Sequence, residues 1–419
     1  MAELEKFVPL DWKPYKLGDV TREVTERLGT NNAGVQVFGV DRAEGLTSSP
    51  KYQADELSRY KRIRPSMFAY NPMRLNIGSI GYCSDISCDG VVSPDYIVFE
   101  CDPNYLNSRY LNLVTKTDEW NDWVQSAGIG SVRVRIYYRE LARMPLRLPS
   151  LPEQEAIVQI VDSIDKKISH NLAVCEKIEN LVQILFQNWF VDFGPYRAKN
   201  LGANSFASFP QKTFNSIQSE EFDEHPTGWT VQPLASIASF MNGLALQKYP
   251  PRGDGDDLGV IKIADLRKGE PSRTEFANAE VPGQYMIEDG DLLFSWSGTL
   301  EAKFWFGGRG ALNQHLFKVS SAQFPSWFCL MWIKHHLPWF KKVAASKATT
   351  MGHIKREHLT EAKVNVPPPE ILMVADTIFR PLFDLYGSLT LENREAKSMR
   401  DAISSKLLTG KIRLPIARD

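Results

Sequence analysis

Residues 149–195 read PSLPEQEAIVQIVDSIDKKISHNLAVCEKIENLVQILFQNWFVDFGP. Apolar residues recur at Ile157, Val161, Ile164, Ile168, Cys175, Ile178, Val182, Leu185 and Trp189, in steps of four and three with one gap. This is the seam of a coiled coil. The gap holds Asn171, and a buried amide in such a seam fixes register and partner number at some cost in stability. Pro149 and Pro152 mark the start and Gly194-Pro195 the end, all residues that interrupt a helix. An ordinary surface helix also buries an apolar stripe, but a 3.5-residue period kept from Ile157 to Trp189 outlasts most globular helices.

Around this helix the chain repeats itself. VPLDWKPYKLGDV returns as HPTGWTVQPLASI, setting Pro9, Trp12 and Leu17 against Pro226, Trp229 and Leu234. VFGVDRAEGL returns as IKIADLRKGE, aligning Asp41 and Gly45 with Asp265 and Gly269, and the apolar MFAYN answers LLFSW. At the end of each unit, YRELARMPLRLPSLPE matches KREHLTEAKVNVPPPE, with Arg139-Glu140 over Arg356-Glu357 and Pro152-Glu153 over Pro369-Glu370. Repeats kept in this order are a tandem duplication.

A second helical stretch follows Pro369, with Val374, Ile378, Leu385, Leu389, Ala396, Met399, Ile403 and Leu407 on one face. Pro381 and Gly387 interrupt it, so a kink or stutter is expected there. The resulting expectation is an α+β fold: an α/β domain over 1–148, a helix over 149–195, a linker over 196–224, a second domain over 225–366, and a second helix and tail over 367–419. The two helices are expected to pack on each other. Within the domains, DYIVFE, VRVRIYY, VIKIAD, DLLFSW and AKFWFG read as strands, and WNDWVQSA and PSWFCLMWIKHHLPWFKKVAAS as helices.

Composition narrows the class. At 419 residues, with 43% hydrophobic and 24% charged content, the chain has material for two or more globular cores. Its start has no basic region ahead of an apolar run, and nowhere do eighteen apolar residues stand together. The expectation is a cytoplasmic protein without a membrane partner. Cys83, Cys88, Cys101, Cys175 and Cys329 lack the spacing and the nearby His of a zinc site and read as buried small hydrophobes. A net charge of -1 decides nothing, since nucleic acid needs only a local cationic face.

The tandem layout, LPSLPEQEAI at the head of the long helix, QNWFVDFGPYRA at its exit, the HPTGW restart and the final SSKLLTGKI resemble the specificity subunit of type I restriction-modification systems. The resemblance spans essentially the whole chain. It implies two target recognition domains, two helices packed as an antiparallel coiled coil, and a non-catalytic role in reading double-stranded DNA. It also implies two copies of a methylation subunit and two of a restriction and translocation subunit. S-adenosylmethionine, ATP and Mg are then expected on those partners, with no cofactor in this chain. The second half departs from the pattern: PPPEILMVA lacks the Glu153-Gln154 pair, and Pro381 breaks the helix.

Two similar domains on a rod match a duplex whose strands are themselves twofold related. A helix from Ile157 to Trp189 is about 50 Å long at roughly 1.5 Å per residue, more than one turn of B-DNA at roughly 34 Å. Two half-sites around an unread gap follow, and domains that differ give an asymmetric target.

Candidate DNA contacts come from basic and amide-bearing loops at matching places. In the first unit these are Arg74 and Asn76 in NPMRLNIGS, then Arg133, Arg135 and Arg139, with Arg143 and Arg147 continuing the alternation as if along one face of a strand. In the second they are Ser297, Thr299 and Lys303, Asn313 beside Gln314, and Lys347, Thr350, His353, Lys355 and Arg356. Arginine suits guanine and phosphate, and Asn or Gln suits adenine; a solvated charged face or a turn-forming Asn is the competing explanation.

Two other readings stay open, a stand-alone methyltransferase or nuclease and a coiled-coil scaffold. Asn71-Pro72-Met73-Arg74 lacks the second Pro and the aromatic of an amino-methyltransferase motif, and no Gly-rich loop follows a strand. Glu301-Ala302-Lys303, Glu361-Ala362-Lys363 and Glu395-Ala396-Lys397 fit half of a nuclease metal site, but ordinary salt-bridge pairing explains them better.

Overall fold

The computed structural model describes residues 11–30, 34–42, 45–48, 50, 53–127, 135–222, 224–346 and 352–414. The chain divides into two compact units, one of residues 1–167 and 396–419, the other of residues 168–395.

The first domain runs β1 (Lys13–Lys16), β2 (Thr21–Val24), β3 (Val37–Asp41), β4 (Gly45–Thr47), β5 (Lys61–Ile63), β6 (Met67–Tyr70), β7 (Ile80–Tyr82), β8 (Gly90–Val92), β9 (Ile97–Cys101), α1 (Ser108–Val114), α2 (Asp118–Ala127), α3 (Tyr138–Leu141) and β10 (Pro145–Leu148), and α4 (Leu151–Phe186) follows. Its sheets have the orders β2-β9-β6-β7 and β4-β3-β8-β5, and β1 pairs with β10. After a π-helical turn at Gln187–Val191 come α5 (Gly194–Asn200) and α6 (Gln211–Ser216). The second domain runs β11 (Thr230–Pro233), α7 (Leu234–Ile237), β12 (Ser239–Asn242), β13 (Leu258–Ile261), α8 (Ile263–Lys268), β14 (Phe276–Ala277), β15 (Met286–Ile287), β16 (Leu292–Ser295), β17 (Ala302–Phe304), β18 (Gly310–Leu312), β19 (Leu316–Ser320), α9 (Ser326–Ser346), α10 (Arg356–Glu361) and β20 (Lys363–Val366), and α11 (Pro369–Leu408) follows. Its sheets, β12-β19-β16-β17 and β14-β13-β18-β15 with β11 on β20, repeat the first domain's order strand for strand.

The repeated residues are the ones that build this fold. Trp12 and Trp229, and Leu17 and Leu234, are buried in their respective units. Gly45 and Gly269 both sit at positive φ, 72° and 78°, a conformation only glycine takes without strain. Each α/β half is therefore the same fold, followed by a long helix.

Within each unit the helices pack antiparallel. In the first, Arg400 of α11 donates to Asp165 of α4 at 2.9 Å, and Leu407 is buried with Ile157 and Val158. In the second, Asn171 Nδ2 donates to Glu392 Oε2 at 2.7 Å, and the Cys175 thiol lies 3.9 Å from the Tyr386 carbonyl. These bonds set a register in which steps of four and three forward on α4 match the same steps backward on α11. Ile157, Val161 and Ile164 then fall opposite Leu407, Ile403 and Arg400 in the first unit. In the second, Ile178, Val182 and Leu185 share one core with Phe379, Leu382, Tyr386 and Leu389. Ile157, Val161, Ile168, Asn171, Ile178, Val182 and Leu185 are buried, and Ile164 is half-buried.

On α11 the seam differs from the expected one. Leu389 and Ile403 are half-buried and Leu407 is buried, but Leu385 is 45% and Met399 57% exposed. Ala375 and Phe379 are buried in place of Val374 and Ile378. The helix is also unbroken from Pro369 to Leu408 with Pro381 inside it. Pro381 has no N–H to give the Thr377 carbonyl, and both residues are exposed, which lets solvent serve in place of that backbone bond. At Gly387 a Cβ would stand 2.8 Å from the Phe306 ring, so only glycine lets that ring approach the helix.

Gln154 shows why α4 starts where it does. Fully buried, its Nε2 donates to the carbonyls of Tyr105 (2.9 Å) and Pro149 (3.0 Å), and its Oε1 accepts the Asn107 N–H at 2.8 Å. The buried Glu153 accepts from Arg413, which also holds Asp11 and lies over the Trp12 ring. In the second copy the matching place after Glu370 is filled by buried Ile371, an apolar answer to the same packing demand.

The cysteines differ from expectation in part. Cys83 and Cys88 form a disulfide. Cys175 and Cys329 are buried free thiols and Cys101 is half-buried; burial pushes Cys101 and Cys329 up to about 12. Among the described residues no helix is long and apolar enough to cross a membrane.

Candidate nucleic-acid interface

In both domains a loop leaving the central strand meets the segment ahead of the short helix. In the first, β6 is followed by Asn71, whose Oδ1 accepts the Met73 N–H at 3.0 Å to form an Asx turn. The turn continues into a 3-10 helix, Leu75–Ile77, closed by Gly78 at φ 86°. Arg74 is exposed, and Asn76 is half-buried with its carbonyl accepting from Gln125 of α2 at 3.0 Å. The Ile136 N–H donates to the Pro72 carbonyl at 2.9 Å, which brings the exposed Arg135 to this loop. In the second domain the Ile354 N–H donates to the Trp296 carbonyl at 2.9 Å, and Ser297 bridges to His353. Buried Ile136 and Ile354 thus tie matching segments together in both copies.

The candidate residues fall into distinct places around these junctions. The segment VRVRIYY is not the expected strand where it is described: Arg135–Tyr137 is irregular, and Arg139 lies on α3, exposed and paired with Glu140 at 3.0 Å. The cause is α3 itself, which takes up Tyr138–Leu141 and buries Leu141. Arg133, Lys347 and Thr350 lie outside the described residues.

In the second domain Ser297 is buried, with its hydroxyl 3.2 Å from His315 Nδ1, whereas Thr299 and His353 are exposed. Asn313 points inward at 8% exposure, and its Oδ1 accepts the His315 N–H at 3.2 Å. Lys303 is tied to Glu301 at 3.4 Å and to the Arg267 carbonyl at 3.2 Å. Lys355 pairs with Glu357 at 3.3 Å, and Arg356 donates to the Phe240 carbonyl at 3.3 Å; both side chains remain exposed.

The residue list drawn from basic and amide side chains missed the aromatic ones. Trp296 is half-buried at the end of β16, its indole N–H donating to the Gln314 carbonyl at 3.2 Å and its ring 5.6 Å from that of His315. At the matching turn of the first domain, Tyr96 is half-buried and its carbonyl accepts from Lys61 at 2.6 Å. Burial pulls Lys61 below the ordinary lysine value despite the charges of Glu23 and Asp95. A sequence signal existed in SWSGT and NQHL, where an aromatic and an imidazole flank a strand end.

A duplicated α/β fold that presents different polar loops at one matched junction, with each copy feeding a paired helix, defines a tandem two-domain reader. Residues 9–180 and 226–398 match the family described as Type I restriction modification DNA specificity domain. The chain is 22% identical over 461 residues to the Type I restriction enzyme HindI specificity subunit of Haemophilus influenzae, covering 96% of this chain and 100% of that one. It is 23% identical over 358 residues to the MjaIX specificity subunit of Methanocaldococcus jannaschii, covering 83% and 74%. Its fold is similar to the crystal structure of a Type-I restriction-modification system S subunit from M. genitalium, with a TM-score of 0.56, 12% identity and 96% of each chain covered. The chain belongs to the type I restriction-modification DNA specificity family. It is the non-catalytic specificity subunit of such a system, with two target recognition domains and no cofactor of its own.

Proposed function

We propose that this subunit reads an asymmetric bipartite DNA target, one half-site for each recognition domain, across a gap spanned by the paired helices. The observation that carries this is the strand-for-strand repetition of the two domains combined with different side chains at the matched junction. In this reading residues 1–148 and 225–366 are the recognition domains, 149–195 and 367–419 carry the helices, and 196–224 links the halves. Arg74, Asn76, Arg133, Arg135 and Arg139 serve the first half-site. Ser297, Thr299, Lys303, Asn313, Lys347, Thr350, His353, Lys355 and Arg356 serve the second. Exposed Arg74, Arg135, Thr299, His353 and Lys355 are the direct contacts in this division, whereas Ser297 and Asn313 hold the loop from within.

The subunit works inside a cytoplasmic complex with two methylation subunits and two restriction and translocation subunits. Those partners bring S-adenosylmethionine, ATP and Mg. The test is a genome-wide map of methylated adenine in cells with and without this chain, its methylation subunit being expressed in both. A bipartite motif that disappears with the chain is the expected result; methylation unchanged by its loss would end the reading.

A further inference from the structure

The turn before the closing strand of each central sheet holds a matched pair of outward residues, Asp95 ahead of β9 and Gln314 ahead of β19. Both are exposed. In the second domain the turn is unusually well braced. Asn313 faces inward to cap the His315 N–H, which leaves Gln314 to face outward. The Trp296 indole N–H fixes the Gln314 carbonyl, the Trp296 N–H reaches the His315 carbonyl at 3.4 Å, and the Ser297 hydroxyl meets the His315 ring. The same loop is stitched to the third segment by Ile354 N–H to Trp296 O at 2.9 Å and Gly298 N–H to Gly352 O at 3.0 Å. The main chain of Gln314 is thereby fixed while its amide stays in solvent, 3.4 Å from His315 Nε2.

A carboxamide on a fixed main chain offers an acceptor and two donors side by side. That pattern matches the N6 and N7 edge of adenine in the major groove. The duplication separates this from a scaffold role. Several buried positions keep their chemistry between copies, as Leu17 with Leu234 and Ile136 with Ile354 do, although Gln154 gives way to Ile371. The outward positions at the same junction do not: Asp95 stands for Gln314. In the structural match of α3 and β10 with α10 and β20, which lies one residue from the sequence repeat drawn through Arg139 and Arg356, Arg135 stands for His353. Asp95 only accepts hydrogen bonds when ionised, which suits a cytosine amino group and cannot serve both the N6 donor and the N7 acceptor of adenine.

We infer that Gln314 is a specificity-determining residue of the second recognition domain, reading an adenine edge, and that Trp296 and His315 position it. This rests on the bipartite reading given above. The test uses the full chain in complex with its methylation subunit, a methyl donor and a pool of randomised DNA duplexes, sequencing those that become methylated. Wild type, Gln314→Ala, Gln314→Glu and Trp296→Phe are compared.

The expected result is that both Gln314 variants lose an A·T preference at a single position of one half-site, by about tenfold or more, with the other half-site intact. Trp296→Phe, which keeps an aromatic ring but loses the indole N–H, weakens the same position and no other, with the protein still folded by its melting transition. A wild-type bipartite motif that both Gln314 variants leave unchanged, or a change at both half-sites, overturns this assignment alone. A wild-type complex with no bipartite motif overturns the bipartite reading and this assignment with it.

Discussion

Asn171 of α4 donates its amide to Glu392 of α11 at 2.7 Å, in the seam layer where Asn393 is also buried. Asn171 therefore has a partner at the edge of the seam, whereas both side-chain polar atoms of Asn393 are buried without one. A buried unsatisfied amide costs about 1–3 kcal/mol. Replacing Asn393 by Leu is expected to raise stability by about 1–2 kcal/mol, read as a higher melting midpoint. An unchanged or lower midpoint would mean that the amide has a use the packing does not reveal.

The same seam separates two residues that look alike in sequence. Leu407 is 1% exposed against Ile157 and Val158 in the first unit, and Met399 is 57% exposed. Leu407→Ala is expected to cost about 2–5 kcal/mol, and Met399→Ala within about 0.5 kcal/mol of nothing. Denaturant midpoints at constant slope decide it; equal losses would contradict the register.

Gln154→Ala orphans the Asn107 N–H and the carbonyls of Tyr105 and Pro149. The expected loss is about 2 kcal/mol or more. Hydrogen exchange at Asn107, protected in the parent and faster in the variant, reports it directly.

Burial raises the carboxyl of Asp289, but hydrogen bonds from Arg394 and the Gly308 N–H, with the Arg394 charge, outweigh it and leave the group below its ordinary value. A lowered carboxyl stabilises the fold above the unfolded pKa, and that contribution is lost as the pH falls through the folded one. Arg394→Ala is therefore expected to destabilise at neutral pH by about 1 kcal/mol or less through this pair, given its solvent exposure. The difference from the parent is expected to narrow well below pH 3.8 to what the Arg394 bond to the Phe306 carbonyl contributes. Urea titrations at both pH values test the narrowing.

Arg74 is exposed on the first domain's loop. Its replacement by Ala in the methylation complex is expected to cost about 1–3 kcal/mol at one position and to spare the second half-site. Exchange of residues 10–148 for another family member's domain is likewise expected to change one half-site only. A change in both halves after either experiment would defeat the modular reading.

The first helix was legible because its seam is apolar at all but one position and its period is unbroken. The second was not, because Asn393 and Arg400 stand in seam positions while exposed Leu385 and Met399 imitate them. Hydrophobicity alone slides such a helix around its axis. Pro381 misled for a related reason: a ring on the solvent side leaves its orphaned carbonyl to water, and sequence does not say which side that is. The duplication fixed the two domains through buried Trp, Leu and positive-φ Gly, residues whose roles are steric. The junction loops escaped because their candidate residues were chosen by hydrogen-bonding chemistry, which does not tell inward from outward: Ser297 and Asn313 have the right chemistry but face inward.

Gly387 gives the second helix a notch filled by the Phe306 ring. Glycine inside a helix costs about 1 kcal/mol relative to alanine, a penalty that a merely sticky contact does not require. What the notch supplies is an index mark. A ring seated against bare backbone cannot shift by one residue without meeting a side chain, and one residue on a helix is about 100° of rotation. The notch therefore favours one azimuth of the second domain on its own shaft, whatever side chains its loops carry.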